Sequence, residues 1–389
     1  MRILILGNMA NDGYSVAKEL RSMGVDVDLG INESDFGMAL PEWEDGNISS
    51  QVDPFNITKK DVEGVWKSPD WIRYFDFLNK VPRKKNRIGK INVRIKIMRM
   101  MREYDVIETQ VPWAMYAQFS GIPYVAYDAG WIRYFPFGKG IRDKLTRRGY
   151  SKAKKIIFTN ADTLPIFESQ KYLDMNKIHF VPFAIDPEKY KPIDASELRS
   201  KFITSDGLLI FSPSRQSWEE KGNDKIISAY AQFVKNYPNS KFVLVDWSVD
   251  KEKSKSHAKS LGMEDNIVWI NPVPKNQLIQ YYNASDIVID QAVLGGWGTS
   301  TPEAMSCGKP TMTSWAGKDK IDEPSVIKCF GEAPPALHGW HIDEIFDNLM
   351  RLAKNDEYRI ELGKRCREWV IKTHHPKLVA EKHLEVLQS

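Results

Sequence analysis

The stretch Gly295-Gly296-Trp297-Gly298-Thr299-Ser300-Thr301-Pro302-Glu303-Ala304-Met305-Ser306-Cys307-Gly308-Lys309-Pro310 sets a glycine-rich loop ahead of a short segment with helix signals at both ends. Glycine lets main-chain NH groups come close to a ligand, because no Cβ stands in the way. Thr301 is the expected N-cap, Pro302 suits the first helical position, and Gly308 with Pro310 marks the stop. A loop of this kind at a helix start binds phosphate and nucleotide groups. Glu303 then falls in the first helical turn. It either complements the helix dipole or accepts two ribose hydroxyls, and for a lone carboxylate the dipole role is the commoner.

Arg215 follows the strand-like run Leu208–Ser212, and Lys221 stands six residues further on, before Gly222. Two fixed cations at a strand end suit a diphosphate, through Coulomb attraction and charge-assisted hydrogen bonds. The alternative is a pair of solvated cations, with Lys221 matched to Glu219 or Glu220. At the front, Gly7-Asn8-Met9-Ala10-Asn11-Asp12-Gly13-Tyr14 joins a strand to a helix without matching the dinucleotide fingerprint, which disfavours a nicotinamide dehydrogenase. Gly13, at that helix start, is a candidate for pointing an amide at a phosphate. Asp128, in Asp128-Ala129-Gly130-Trp131, is a candidate catalytic or sugar-binding carboxylate, or equally an ordinary turn former. Tyr124, Tyr127, Trp131, Tyr134, Phe135 and Phe137 cluster around it, and flat rings suit sugar faces or an interface when they are not core.

The elements that must position these groups alternate between short β-rich runs and helical stretches. Strands are expected at Arg2–Leu6, Val25–Leu29, Asp105–Thr109, Pro123–Tyr127, Lys155–Thr159 and Ile178–Val181. A second set is expected at Leu208–Ser212, Lys241–Asp246, Ile267–Ile270, Asp286–Asp290 and Pro310–Ser314. Such alternation predicts an α/β fold of two Rossmann-like parallel-sheet domains facing a cleft. The boundaries fall at residues 1–182 and 183–371, with a C-terminal helix of about 372–389 returning to the first domain. Pro376 breaks the last helical run.

A chain of 389 residues exceeds one ordinary core. Three separated cysteines and no histidine cluster argue against a disulfide framework or a metal site, and fit a reducing, cytoplasmic setting. No run is long and apolar enough for a signal or a membrane span. The net charge of +4 is uneven, with the basic excess in residues 1–180. Basic residues crowd Arg83–Arg102, interleaved with isoleucines and methionines, and again Lys139–Lys155. Such a surface suits anionic lipid, or belongs to a partly buried helix with solvated lysines. No nucleic-acid motif accompanies the charge.

Taken together these residues resemble the retaining glycosyltransferases of family 4, which have the GT-B fold, most strongly from about residue 155 to 315. Val181-Pro182-Phe183-Ala184-Ile185-Asp186 stands where that family has a Val-Pro-x-Gly-x-Asp turn. Arg215 with Lys221-Gly222 follows the next strand, and Glu303-Ala304-Met305-Ser306-Cys307-Gly308-Lys309-Pro310 fits the end of the family signature. The resemblance implies that Arg215 and Lys221 bind the diphosphate of a nucleotide-sugar and that Glu303 holds its ribose. It implies that the amides of Gly296, Trp297, Gly298 and Thr299 approach the donor, and that Gly13 helps hold the β-phosphate. The implied reaction is sugar transfer to an acceptor hydroxyl with retention, needing neither metal nor other cofactor. The expected acceptor is a glycan or lipid-linked precursor, and the basic front domain suits an anionic membrane surface. Three departures stand out. Gly295 replaces the first signature glutamate, Asp246-Trp247-Ser248 replaces a glycine pair, and Tyr127 or Asp128 replaces a histidine. A nucleotide-sugar epimerase and a non-catalytic nucleotide-sugar binding protein are the alternatives.

Overall fold

The computed structural model describes residues 1–32, 37–46, 48, 59–62, 64, 66–75, 95–134 and 136–389. The basic run Arg83–Arg102 as far as residue 94, and Phe135, lie outside the described residues. The chain forms two compact units. The first comprises Met1–Ile48, Pro54–Ala184 and Pro376–Ser389, and the second contains Ile185–His375.

The first unit is built on seven strands: β1 (Arg2–Leu6), β2 (Asp26–Asn32), β3 (Ile72–Phe75), β4 (Val106–Gln110), β5 (Tyr124–Asp128), β6 (Lys155–Phe158) and β7 (Ile178–Phe180). Their order is β3-β2-β1-β4-β5-β6-β7, and every pairing is parallel. β4 and β5 are buried at every residue, as central strands covered on both faces must be. The second unit has β8 (Leu208–Ser212), β9 (Ser240–Val245), β10 (Ile267–Ile270), β11 (Ile287–Ile289), β12 (Thr311–Thr313) and β13 (Leu337–His338). Its order is β10-β9-β8-β11-β12-β13, again all parallel. Each sheet therefore starts in the middle, winds one way and then the other. That is the doubly wound order, whose switch points lie between β1 and β4 and between β8 and β11.

The sequence reading located eleven of these strands to within a residue or a few at their ends and passed over β3 and β13. Both are short edge strands, with Ile72 the one buried residue of β3 and neither residue of β13 buried, so the apolar signal is weak. The last helical run does break at Pro376, into Asp356–His374 and Pro376–Gln388. The latter packs on the helix Asp12–Ser22 and across β4, β5 and β6 of the first unit.

The β1 turn depends on one close approach. A Cβ on Gly13 would stand 2.6 Å from the Gly7 carbonyl oxygen and 3.2 Å from the Gln110 Nε2. Gly13→Ala therefore forces backbone movement in a buried loop. We expect a loss of about 1–3 kcal/mol, read as a lower denaturation midpoint. An unchanged midpoint would mean that the loop yields freely.

Candidate functional site

The β8 and β11 ends meet at the switch point of the second sheet, where open α/β sheets present a crevice beyond their carboxyl ends. Ser214, two residues past β8, donates to Asp290 Oδ1 at 2.6 Å, and Thr301 Oγ1 donates to Asp290 Oδ2 at 2.7 Å. The buried Asp290 thus fastens the exit of β8 to the helix Ser300–Ser306. Thr301 lies inside that helix rather than capping it. The helix starts at Ser300 with Thr299 as N-cap, because the Thr301 hydroxyl is committed to Asp290. Glu303 is in the first turn, as expected.

Lys221 ends the short helix Trp218–Lys221. Gly222, at φ +67°, turns the chain directly into the helix Asn223–Phe233, a left-handed conformation that favours glycine. The Lys221 ammonium donates to Gln291 Oε1 at 2.5 Å and lies 3.8 Å from Asp290 Oδ1. The Gln291 Nε2 in turn donates to the carbonyls of Leu294 at 2.9 Å and Gly296 at 3.1 Å. One glutamine therefore sets both the lysine head and the shape of the glycine loop. Arg215 pairs with Glu220, so the surface-pair reading fits Arg215, while Lys221 takes neither Glu219 nor Glu220 in these contacts. The side chain of Lys221 is 17% exposed, that of Arg215 about twice as much, and a guanidinium has five donors to distribute.

Glu303 is buried and forms an ion pair with Lys275, while Tyr282 donates to its other oxygen at 3.0 Å. Lys275 also reaches Thr299 Oγ1 at 3.3 Å. Burial, then the charges of Glu303 and Asp290, hold the Tyr282 phenol well above its ordinary range, so it remains a donor. Burial, and then Glu303, push the Cys307 thiol up to about 12, which rules out a thiolate nucleophile near neutral pH.

The structure brings Arg215, Lys221, Gly296, Gly298, Thr299 and Glu303 into one unit at one sheet edge. Gly298 has open space where a Cβ would project. The Trp297 side chain turns inward instead, stacking on Phe330 at 5.4 Å and meeting Trp369 edge-on at 5.8 Å. Its indole anchors the loop and leaves only its backbone for a ligand. Gly13 belongs to the first unit. Asp128 also lies there, 0% exposed. Its Oδ1 accepts from Gly130 N at 2.7 Å and Ile132 N at 3.3 Å, and its Oδ2 accepts from Tyr150 at 2.6 Å. Burial raises its pKa against those three hydrogen bonds. Of the two readings open for Asp128, turn former and substrate contact, this geometry supplies the first.

Sequence reasoning missed Asp290, Gln291, Lys275 and Tyr282. Asp290-Gln291 directly follows a strand, which is a usable signal. Lys275 and Tyr282 share the helix Lys275–Ala284, and nothing local marks them as partners of Glu303. Among the described residues no group of three or more His, Cys, Asp or Glu side chains is placed to hold a metal, and no described helix is long and apolar enough to cross a membrane.

Two Rossmann-like parallel-sheet units followed by C-terminal helices are the GT-B architecture. Residues 195–318 match the family model of glycosyl transferases group 1, a segment holding every second-unit residue named above as a candidate. The chain is similar to the D-inositol 3-phosphate glycosyltransferase of Acidothermus cellulolyticus, 25% identical over 152 residues, covering 36% of this chain and 34% of that one. It is also similar to the mannosylfructose-phosphate synthase of Agrobacterium fabrum, 24% identical over 179 residues, covering 43% and 39%. The match thus spans little more than a third of these curated relatives. The fold is shared with Anabaena HepE solved in complex with UDP and glucose, with a TM-score of 0.75, 16% identity and full coverage of both chains.

Proposed function

We propose that this protein is a glycosyltransferase that moves a sugar from a nucleotide-diphosphate donor to an acceptor hydroxyl with retention of configuration. The observation that carries this reading is the chain Lys221–Gln291–Gly296 at the β8/β11 switch point, with Arg215 on the same edge. It provides fixed positive charge beside the glycine loop, where the Gly296 amide already donates to the Trp315 carbonyl at 3.3 Å, so this reading assigns the amides of Trp297 to Thr299 to the diphosphate. Both the family match over residues 195–318 and the UDP complex of a protein with the same fold support it.

In this reading the bond between the anomeric carbon and the diphosphate breaks, and its electron pair goes to the phosphate oxygen. The acceptor oxygen bonds to the same face of the sugar and passes its proton to the departing phosphate. Charge grows on the leaving group, so Lys221 and Arg215 stabilise the transition state more than the ground state. These cations take the part a divalent ion plays elsewhere, so the reaction proceeds without a metal.

Glu303 takes the nucleotide ribose. Its pairing with Lys275 and Tyr282 fixes its position and orientation. Glu303→Gln keeps the shape but replaces a charged acceptor with a neutral one. We expect nucleoside diphosphates to bind about 10–100-fold more weakly by calorimetry, while inorganic pyrophosphate is nearly unaffected. Equal losses for both would move Glu303 away from the ribose.

The reading as a whole is tested by thermal stabilisation with UDP, GDP and ADP and their sugars. A ligand at 100 times its Kd adds about 2.7 kcal/mol. Product analysis with and without an acceptor then separates transfer from epimerisation. If no nucleoside diphosphate stabilises the protein, the proposal falls.

A further inference from the structure

The first unit has a switch point of its own, between β1 and β4, and a cavity of about 1110 Å³ opens there. That exceeds the roughly 300–1,000 Å³ of ordinary small-molecule pockets. Gly7 and Asn8, after β1, form one side, and the exit of β4 from Gln110 to Trp113 forms another. Most of the wall is aliphatic, thioether or aromatic, with Met98, Val111, Met115, Tyr116 and Leu145 among the lining side chains. At its border Phe119 is 47% exposed and Ile141 78% exposed, an unusual outlay of apolar surface.

Among the described lining residues the amide and charged side chains are Asn8, Asn32, Arg102, Gln110 and Arg142. Asn8 is spent internally. Its Nδ2 donates to Asn11 and to the Ala39 carbonyl, and its Oδ1 accepts from Tyr14 N. Gln110 is also closed off: its Oε1 accepts from Met9 N at 2.5 Å, and its buried Nε2 lies against Gly13 rather than open to the cavity. Arg102 and Arg142 also line the cavity and are exposed to solvent, and Arg148 lies over the Phe119 ring at 5.4 Å. A glycan in this space would meet too few hydrogen-bonding partners for its hydroxyls. A hydrocarbon chain would meet apolar wall for most of its length, with the Arg102 and Arg142 cations on the wall for a charged head.

We infer that this cavity binds an anionic amphiphile, a hydrocarbon chain ending in a phosphate-type head, with the chain against Met98, Met115 and Leu145 and the head at Arg102 and Arg142. The binding site stands on the first unit alone. Its use as the site of the sugar acceptor rests on the transfer reading above.

The test is calorimetry on the full chain with hexyl, octyl and decyl phosphate below their micellar concentrations, against decyl glucoside and inorganic phosphate. Buried methylenes contribute about 0.8 kcal/mol each, so each added pair tightens binding about tenfold. Inorganic phosphate gives no binding, and decyl phosphate binds at least about tenfold tighter than the uncharged glucoside. Met115→Trp, which fills the cavity, weakens every chain length. Arg102→Gln with Arg142→Gln, both at exposed positions, removes the preference for phosphate over glucoside. Affinity that does not depend on chain length, or that neither variant alters, overturns the inference. The wild-type chain-length series decides the matter even if Met115→Trp does not fold. Stabilisation by nucleoside diphosphates is measured on the same samples. Its survival alongside a failed amphiphile series removes this site and leaves the donor reading intact, and the converse removes the donor reading alone.

Discussion

On the proposed transfer reading, Lys221→Ala lowers the turnover of sugar transfer by about 10²-fold or more, while the protein remains folded. The first half of that statement follows from charge. Lys221 presents a positive head held 2.5 Å from Gln291 and 3.8 Å from Asp290, so it requires no reorganisation as charge develops on the leaving diphosphate. The second half follows from what remains. Asp290 keeps the Ser214 and Thr301 hydroxyls, one on each oxygen, and Gln291 keeps the two loop carbonyls through its Nε2. Arg215→Ala should lower turnover to a similar degree and releases Glu220, an exchange at a partly exposed pair with little effect on stability. Exchanging Lys221 for arginine does not restore activity. The planar fork carries its charge further out and spreads it, and Gln291 is placed for a compact ammonium. Initial rates of donor consumption with acceptor present, beside denaturation midpoints, give both readouts. Rates within threefold of wild type for both alanine variants would remove these cations from the chemistry.

The proposed donor side of this arrangement was legible because it is local. Gly295 to Pro310 contains its own loop, helix and stop signals, and Arg215 and Lys221 follow one strand by a few residues. Only the fine detail slipped, as with Thr301. Its type says N-cap, yet Asp290, across the switch point, claims its hydroxyl. Propensity describes what a residue does without distant partners, and here a distant partner prevailed. Trp297 is a similar case. Its place in a glycine loop suggests a ligand contact, while Phe330 and Trp369, far along the chain, draw the ring into the interior.

Asp128 and His383 show the limit more sharply. Asp128 stands at a strand end beside a glycine, a pattern shared by active-site carboxylates and by carboxylates that merely close turns. Only the three donors around it in space, among them Tyr150, distinguish the two. His383 gave no signal at all. It is one histidine in an amphipathic helix, and its partner Glu108 sits on β4, separated from it by 275 positions. The alternation of strands and helices is a short-range pattern and fixes the fold class. Pairings between buried polar side chains depend on register across whole elements, which periodicity does not carry.

That pairing makes His383 the position in the first unit where a single substitution should cost most. The His383 Nδ1 lies 2.7 Å from Glu108 Oε2, both side chains are buried, and the His383 ring stacks on Tyr127 at 5.9 Å. Tyr127 donates to Asp12, so the helices Asp12–Ser22 and Pro376–Gln388 are joined through β4 and β5 by one polar cluster. Burial pushes His383 down, but the charges of Glu108 and Asp12 and the Glu108 hydrogen bond outweigh it, and the imidazole lies above its ordinary value. Burial pushes Asp12 up to about 6, against the opposing pull of His383 and Tyr127. Both groups therefore bind protons more readily in the folded chain than in the unfolded one. The stability each provides is fully present below its unfolded pKa and fades as pH rises through its folded pKa. His383→Ala leaves Glu108 buried without its partner, at a cost of about 3–5 kcal/mol near pH 6. The difference from wild type should narrow steadily toward pH 9, as the native imidazolium itself loses its proton. Denaturation midpoints from pH 6 to 9, with amide exchange across Pro376–Gln388, follow both effects. A cost that grows with pH instead would mean that the imidazole is neutral in the fold and that Glu108 is held by other means.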